Sequence, residues 1–390
     1  MKAVITGMGI IGAGFSNIVE FMTVLQSNKS MLKQEKYEGK YIYTGRVREE
    51  QINKVHKRQE KMSKPVRMIL HACKEAIEQA NISVRDYRTA VIVGSSAGGL
   101  AEISKATFSL EKGKRLSPYT IGNMNANSLS SSISAYLQLN GIALSLANSC
   151  TSGIDALNLA RILIESNQID VCIVGASDES ICDPIIKGFL PHRVLQAGNK
   201  PQPSFGPFSG GKGFSISEGA GVLIVENEQV AIQRHASILG KVEATSVTQD
   251  AISPFQSDST GLLMEKAVAE CLQENMPTYI NSQALGILEN DHIEIGVYKR
   301  FFEGSKIPIT SIKGTVGHAM GVSPLFQIIA SLISIKKSFI PATISQEIND
   351  YYRDYPIVTQ LITEDVDRVL VTAHGYGGNN GCAMITKGGA

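Results

Sequence analysis

Short apolar runs alternate with longer helical stretches along the whole chain. Each run is rich in β-branched residues and ends in glycine or another small residue. We predict strands at Ala3–Thr6, Ala90–Val93, Ile142–Leu146, Val171–Val174, Gly221–Val225, Ala284–Leu288 and Val369–Thr372. Continuous apolar strands are typical of a sheet that is covered on both faces. The alternation therefore predicts an α/β fold.

Two stretches predict helices that are buried nearly all round. Between Ser152 and Glu165 only a narrow polar stripe interrupts the apolar residues, and the segment after His318 has the same character. A helix that is apolar on almost every side lies inside a large structure. One such helix in each half predicts a five-layered α/β/α/β/α arrangement of two pseudo-symmetric halves, residues 1–235 and 236–390.

Composition and charge narrow the class of protein. The 390 residues carry 37 basic and 36 acidic side chains, a net charge of +1, which argues against a nucleic-acid-binding surface. No apolar run reaches the roughly 18 residues of a membrane span, and the first residues do not resemble a signal peptide. The six cysteines are scattered without CxxC pairs, which is typical of a reducing compartment. We therefore expect a cytoplasmic protein.

Two glycine motifs match known signatures but lack their companions. Gly7–Gly12 fits GxGxxG, yet no acidic residue closes a second strand about 20 positions on, and we interpret the segment as a tight turn. Gly94–Gly98 fits GxSxG, which would make Ser96 the nucleophile of a hydrolase. No HGG oxyanion motif precedes it, so the hydrolase is the less favoured alternative. Metal-ligand and nucleotide motifs are absent from the sequence, and no metal or cofactor is predicted.

Cys150 is the strongest candidate for a catalytic residue. It lies in Asn148–Gly153, between a predicted strand and the first buried helix. A helix N-terminus favours the thiolate, which is the nucleophilic form of cysteine. The backbone N–H groups of the same turn can hold the oxyanion of a thioester under attack. We predict that Cys150 is a nucleophile.

Two glycine-rich segments in the second half carry further candidates. His318 lies in Lys313–Gly321, where it could act as an acid or base or as a donor to an enolate oxygen, with the charge of Lys313 nearby. Gly375–Gly381 contains Tyr376 and Gly377 between two predicted strands. Such a loop can offer backbone N–H groups and a movable aromatic ring, although a plain hairpin turn explains it equally well.

Taken in order, these segments resemble the β-ketoacyl-acyl carrier protein synthases of type II fatty acid and polyketide pathways. The segments are Cys150–Gly153, Gly213–Gly221, Lys313–His318 and Gly375–Gly378. The resemblance implies the thiolase fold, a homo- or heterodimer, and Claisen condensation on thioesters of an acyl carrier protein. It implies that Cys150 carries the acyl chain, that His318 is the second of two histidines and that Lys313 is a supporting lysine. Tyr376 and Gly377 correspond to the substrate gate and oxyanion loop.

Two positions depart from the pattern of that family. Leu285 stands where the first histidine belongs, and Gln327 replaces a glutamate expected nine residues after His318. Leucine cannot donate a hydrogen bond or transfer a proton. The loss of one such donor typically raises the barrier by about 2.7–4 kcal/mol. His374, where the family usually carries phenylalanine, is the predicted substitute, ahead of His292.

In lacking the first histidine, the chain also resembles chain-length factors, the partner subunits of some ketosynthases. Those subunits usually lack the cysteine that this chain keeps.

A cluster of basic residues resembles the region where the family docks its acidic carrier protein, and a solvated helix face is the alternative. Its members are Lys57, Arg58, Lys61, Lys64 and Arg67.

We expect an acyltransferase that loads an acyl chain onto Cys150 and extends that acyl chain with a malonyl unit, alone or with a partner. A catalytically incomplete subunit of a heterodimer is the alternative.

Overall fold

The computed structural model describes residues 2–273 and 275–388. The strands in these ranges are β1 (Ala3–Ile11), β2 (Lys33–Tyr37), β3 (Lys40–Gly45), β4 (Thr89–Gly94), β5 (Ala143–Leu146), β6 (Val171–Asp178), β7 (Ala197–Gly198), β8 (Ile216–Ser217), β9 (Gly219–Asn227), β10 (Gly240–Gln249), β11 (Tyr279–Asn281), β12 (Ile309–Thr310), β13 (Phe339–Ile340), β14 (Ile362–Thr363), β15 (Arg368–Gly375) and β16 (Asn379–Lys387). The helices are α1 (Ile18–Gln26), α2 (Lys64–Ala80), α3 (Leu100–Glu111), α4 (Thr120–Met124), α5 (Ser128–Leu137), α6 (Ser152–Glu165), α7 (Asp183–Phe189), α8 (Glu228–Gln233), α9 (Leu262–Leu272), α10 (Leu288–Phe302), α11 (Lys313–Val316) and α12 (Ser323–Lys337). None of the described helices is long and apolar enough to cross a bilayer.

Ten strands form one mixed sheet in the order β12-β11-β15-β16-β10-β1-β9-β6-β4-β5. The strands β5, β4 and β6 are parallel, and β9 and β1 follow them in antiparallel pairing. The strands β12, β11, β15, β16 and β10 repeat the same pattern. Antiparallel pairing of β1 with β10 joins the two repeats. The two halves are therefore pseudo-symmetric, as predicted, while the boundary at 235/236, between α8 and β10, stays a prediction.

The helices α6 and α12 lie between the two repeats of the sheet. The first contacts β4, β6 and β10, and the second contacts β9, β15 and β16. Helix α12 is buried from Ser323 to Ile335, whereas α6 leaves Ile162 partly exposed. Helix α2 packs on the outer face of one repeat and α9 on that of the other. This is the predicted five-layered, thiolase-like arrangement.

The glycines of the first strand serve close packing. Strand β1 continues through Gly7 and Gly9, so the interpretation of this segment as a tight turn was wrong. A Cβ atom on Gly7 would lie 2.2 Å from the carbonyl oxygen of Ala76, and one on Gly9 would lie 2.0 Å from that of Ala72. The missing side chains allow the backbone of α2 to rest directly on the strand.

We expect Gly9→Ala to lower the free energy of unfolding by about 1–3 kcal/mol, because the new methyl group must displace α2. Urea unfolding followed by circular dichroism measures this change. Gly296→Ala is the matched control, since Gly296 lies in α10 with open space around its Cβ position. That change should leave stability unchanged or raise it, because alanine favours a helix more than glycine does. Equal stability of the two variants would contradict the packing argument.

The strand predicted at Ala284–Leu288 is a loop. The strand in this region, β11, ends at Asn281, and Leu288 already begins α10. The buried carboxylate of Asp291 accepts the backbone N–H groups of Leu285 at 2.8 Å and Gly286 at 3.0 Å. A side chain thus satisfies the backbone of an apolar segment, which therefore needs no neighbouring strand.

Candidate active site

Cys150 lies in a single 3₁₀ turn, Ser149–Thr151, between β5 and α6. Ser149, the residue before it, has a left-handed backbone with φ of 55°. Asp155, in the first turn of α6, accepts hydrogen bonds from Asn148 at 2.9 Å and from the Thr151 hydroxyl at 2.7 Å. These contacts hold the turn against the helix. The predicted position of the cysteine at a strand-to-helix junction is confirmed.

His318 faces the cysteine across the cleft between the halves. Its Nε2 atom lies 3.1 Å from Sγ of Cys150, and its Nδ1 atom lies 3.0 Å from Oγ of Ser323. A serine hydroxyl can donate to Nδ1 or accept from it. Nε2 can therefore accept the thiol proton in one tautomer and donate to an oxyanion in the other.

Burial shifts the pKa of each partner in this pair towards its neutral form. It raises the pKa of Cys150 to about 11, although a hydrogen bond from Ser149 and the charge of Lys313 act in the opposite direction. Burial and the charge of Lys313 hold the pKa of His318 well below 6.5. The helix N-terminus favours the thiolate, as the sequence analysis expects, but desolvation of the sulfur acts more strongly in the opposite direction.

Alkylation of Cys150 should show this elevated pKa directly. Iodoacetamide reacts with the thiolate, whose fraction increases about tenfold per pH unit below the pKa. We expect the rate at Cys150 to rise through pH 10, whereas a small thiol such as N-acetylcysteine levels off above about pH 9. Peptide mass spectrometry after timed quenching measures the rate. A plateau near pH 7 would contradict the neutral resting pair.

The hairpin between β15 and β16 meets the nucleophile turn. The backbone of Tyr376 acts to lower the pKa of the Cys150 thiol. A Cβ atom on Gly375 would lie 3.2 Å from the backbone nitrogen of Cys150. Gly377 has φ of 88°, which few other residues adopt. The hairpin thus brings the backbone of Gly375 and Tyr376 beside the turn of Cys150, where an oxyanion site would lie.

Cys150 opens into a cavity of about 560 Å³. His318, His374 and Leu285 line the same cavity. The ring of Tyr376 is 51% exposed, and its centroid lies 6.4 Å from that of Phe255. The apolar part of the wall consists of Ile185, Phe189, Val194, Phe214, Ile287 and Met320. The cavity can therefore take an apolar chain attached to the sulfur.

Comparison with known proteins now assigns the family. The beta-ketoacyl synthase N-terminal domain model matches residues 2–231, and the C-terminal domain model matches residues 239–347. The chain belongs to the beta-ketoacyl synthase family. It is 26% identical over 410 residues to 3-oxoacyl-acyl-carrier-protein synthase 1 of Buchnera aphidicola subsp. Baizongia pistaciae, covering 99% of each chain.

Solved structures share the fold of this beta-ketoacyl synthase family member. The ishigamide ketosynthase/chain length factor gives a TM-score of 0.90 at 21% identity, covering 100% of this chain and 99% of the other. A type II polyketide ketosynthase solved in complex with its acyl-carrier protein gives 0.89 at 20% identity, with the same coverage. The predicted family and fold are confirmed.

Lys313 is buried and lies outside the lining of the cavity that contains Cys150. Its Nζ atom lies 3.3 Å from Oε1 of Gln327 and 3.4 Å from the carbonyl oxygen of Ser282. Burial lowers the pKa of Lys313 to about 8, and the charge of Glu294 opposes this shift. The amide of Gln327 accepts from the lysine without neutralising it. The supporting role of Lys313 stays a prediction.

Of the two candidate substitute histidines, only His374 lines the cavity with Cys150 among the described residues. His292 is half-buried on α10, outside the cavity wall, with its Nδ1 atom 3.0 Å from the hydroxyl of Tyr352. Leu285, the residue expected in place of the first histidine, also lies in the wall. The catalytic roles inferred for these positions stay predictions.

Ser96 lines the cavity without the partners of a hydrolase nucleophile. Its backbone N–H donates to Asp178 at 3.0 Å, and the same carboxylate accepts the hydroxyl of Ser95 at 2.6 Å and the N–H of Gly321 at 2.9 Å. Burial raises the pKa of Asp178 to about 6. Asp178 thus joins the loop at Ser96 to the loop at Gly321. No histidine among the described residues forms a hydrogen bond with the Ser96 hydroxyl. The geometry does not support the hydrolase alternative.

Two of the five basic residues in the cluster pair with acidic residues of the same chain. Lys64 pairs with the buried Glu218, and Arg67 forms a two-pronged contact with Glu49. The three remaining members, Lys57, Arg58 and Lys61, are exposed. Docking of a carrier protein at this surface stays a prediction, with two of its five cations already engaged.

Sequence reasoning missed the polar residues that orient the site. Ser323 holds His318, and Asp178 joins the loop at Ser96 to that of His318. Asn380 and the buried Glu294 flank His374. Asn380 belongs to the glycine-rich segment Gly375–Gly381, so the sequence offered a signal that could have identified it. The others carry no local motif.

Proposed function

We propose that the protein is a ketosynthase-type acyltransferase of fatty acid or polyketide biosynthesis. It accepts an acyl chain from a carrier-protein thioester onto Cys150 and condenses that chain with a malonyl unit. The observation that carries this proposal is the 3.1 Å separation of Cys150 Sγ and His318 Nε2 in the wall of a largely apolar cavity.

Acyl transfer follows from this geometry. The sulfur of Cys150 attacks the thioester carbon while Nε2 of His318 takes the thiol proton. The N–H groups of Cys150 and Tyr376 hold the oxyanion that forms. Its collapse breaks the bond to the carrier thiol, which takes the proton from His318 and leaves. The acyl chain then remains on the enzyme.

Condensation uses the same donors for a different oxygen. Decarboxylation of the malonyl thioester releases carbon dioxide and leaves the electron pair as an enolate. In the tautomer that carries its proton on Nε2, with Nδ1 accepting from the Ser323 hydroxyl, neutral His318 donates to the enolate oxygen. The enolate carbon attacks the acyl carbon on Cys150, and the bond to sulfur breaks. The product is a β-ketoacyl thioester on the carrier.

Mass measurement of the intact protein tests the proposal. The purified chain is mixed with acyl- and malonyl-carrier protein, and its mass and the released carbon dioxide are determined. An adduct on Cys150 together with release supports condensation, and an adduct alone supports acyl transfer only. The absence of both would contradict the proposal and favour the non-catalytic subunit.

Leu285 is the observation that favours this alternative, a chain-length-factor-like subunit. It places an aliphatic side chain in the cavity wall where the resemblance implies an imidazole. Such a subunit would work beside a complete ketosynthase. Co-purification with a second family member, together with an unmodified Cys150, would support it.

The edge strand β5 offers a surface for a dimer, whether the chain is a ketosynthase or a chain-length-factor-like subunit. Strand β5 is the edge of the ten-stranded sheet, with Leu144 42% exposed and the adjoining Ile142 41% exposed. Phe108 and Leu110, at the end of α3, are also exposed. An unpaired, apolar sheet edge is typical of a strand that pairs with another chain. We propose that a second family subunit, identical or related, covers it.

A further inference from the structure

Besides His318, the imidazoles of His192 and His374 line the cavity, and His374 lies where a backbone strand approaches the nucleophile. His374 is the penultimate residue of β15, and Gly375 beside it contacts the turn of Cys150. The side chain of His374 lines the cavity although its residue is only 6% exposed. Among the described residues, its Nε2 atom has only a long contact, 3.5 Å to Oε1 of Glu294. A buried nitrogen that is so weakly bonded in a reaction cavity requires an explanation.

A chain of hydrogen bonds fixes the orientation of this imidazole. The side-chain nitrogen of Asn380 donates to Asp250 at 2.7 Å and to the carbonyl oxygen of Gly378 at 3.3 Å. The side-chain oxygen of Asn380 therefore faces Nδ1 of His374, at 3.2 Å. Because that oxygen only accepts, Nδ1 carries a proton. The remaining nitrogen, Nε2, is left to exchange a proton.

A buried carboxylate lies opposite that nitrogen. Oε1 of Glu294 is 3.5 Å from Nε2 of His374. Burial raises the pKa of Glu294, but the facing imidazole and hydrogen bonds from Thr372 and Tyr298 lower it to about 2. Ser282 and the backbone of Gln283 donate to the same carboxylate at 2.8 and 2.9 Å. Glu294 is thus a fixed anion that can balance a proton on Nε2.

The other charged and titratable groups around this pair come from several elements. Lys313 of α11 and Asp291 of α10 lie in the same electrostatic environment as Glu294. Asp250 follows β10 and acts through Asn380. Cys150 and His318 line the cavity itself. His374 thus lies beside the anion of Glu294 and shares the cavity with the reacting sulfur.

We infer that His374 is a catalytic acid of the condensation, with Asn380 and Asp250 as positioning residues and Glu294 as its counter-ion. The inference rests on the proposed function and supplies the donor that Leu285 cannot provide. Nε2–H of His374 joins His318 at the enolate oxygen when the bond to the carboxylate carbon breaks and carbon dioxide leaves. After the new carbon–carbon bond forms, the departing Cys150 thiolate takes up one proton. His374 provides it and regains a proton from water.

Two separate readouts test this inference. The purified protein is supplied with hexanoyl- and ¹⁴C-malonyl-carrier protein, and the Cys150 adduct and the released ¹⁴CO₂ are measured independently. We expect His374→Phe to acylate Cys150 normally but to release carbon dioxide roughly 100- to 1000-fold more slowly. His374→Gln should release carbon dioxide faster than His374→Phe, because its amide N–H can still donate to the enolate oxygen although it cannot deliver a proton to the sulfur. His292→Phe, outside the cavity, should behave like the unaltered protein.

Asn380→Ala tests positioning rather than chemistry. We expect it to alter the pH dependence of carbon dioxide release while acylation stays normal, because Nδ1 loses its acceptor. Normal release by His374→Phe, with adduct formation intact, would overturn the inference alone. An adduct without release in the unaltered protein would also overturn it. No adduct in the unaltered protein would overturn the proposed function and the inference together.

Discussion

Cys150→Ala should eliminate the acyl adduct and lower product formation by roughly 1,000-fold or more, because no other group can carry the chain through both half-reactions. The sulfur lies 3.1 Å from Nε2 of His318, and the hairpin that carries Tyr376 meets its turn. Intact-protein mass spectrometry measures the adduct, and separation of the carrier-bound products measures the overall rate.

Cys182→Ala is the matched control for this change. Cys182 is a partly buried cysteine at the start of α7 and is not among the residues that line the cavity of the described chain. Its replacement should leave adduct and product unchanged. Retention of the adduct in Cys150→Ala would refute the assignment of the nucleophile.

His318→Ala should slow acylation of Cys150 by about 100- to 10,000-fold, the usual contribution of a positioned acid or base. The reason lies in the resting charges: a thiol with a pKa of about 11 needs a base to react near neutrality. Rapid-quench experiments with acyl-carrier protein give the rate. Raising the pH should partly restore the variant, since hydroxide then generates the thiolate.

His235→Ala serves as the control, because His235 follows α8 away from the cavity. It should acylate at the unaltered rate across the pH range. Equal rates for His318→Ala and the unaltered protein would show that the imidazole does not activate the sulfur. Loss of rate without any recovery at high pH would point to a collapsed site instead.

The sequence predicted those parts of the fold and site that local chemistry determines. Apolar periodicity identified the central helices α6 and α12, and glycine-rich turns identified Cys150 and His318 at the start of each. Both features depend on neighbouring residues along the chain. The segment Ala284–Leu288 was misassigned because Asp291, a side chain outside it, satisfies its backbone.

Long-range burial explains what the sequence did not predict. The protonation state of Cys150 depends on how completely the two halves enclose it, which no motif encodes. Glu294 lies in an ordinary helical segment, and only the tertiary fold brings it to His374, 80 positions further along the chain. Lys64 and Arg67 looked like free surface cations until their acidic partners were placed beside them.

The outermost strand of the sheet is also the strand that leads to the nucleophile. Strand β5 ends at Leu146, only four residues before Cys150. A subunit that adds its own strand along this edge would therefore contact the segment that leads into the catalytic turn. Assembly and reactivity would then be mechanically linked, so that the identity of the neighbouring subunit could tune the rate at the sulfur without touching the substrate.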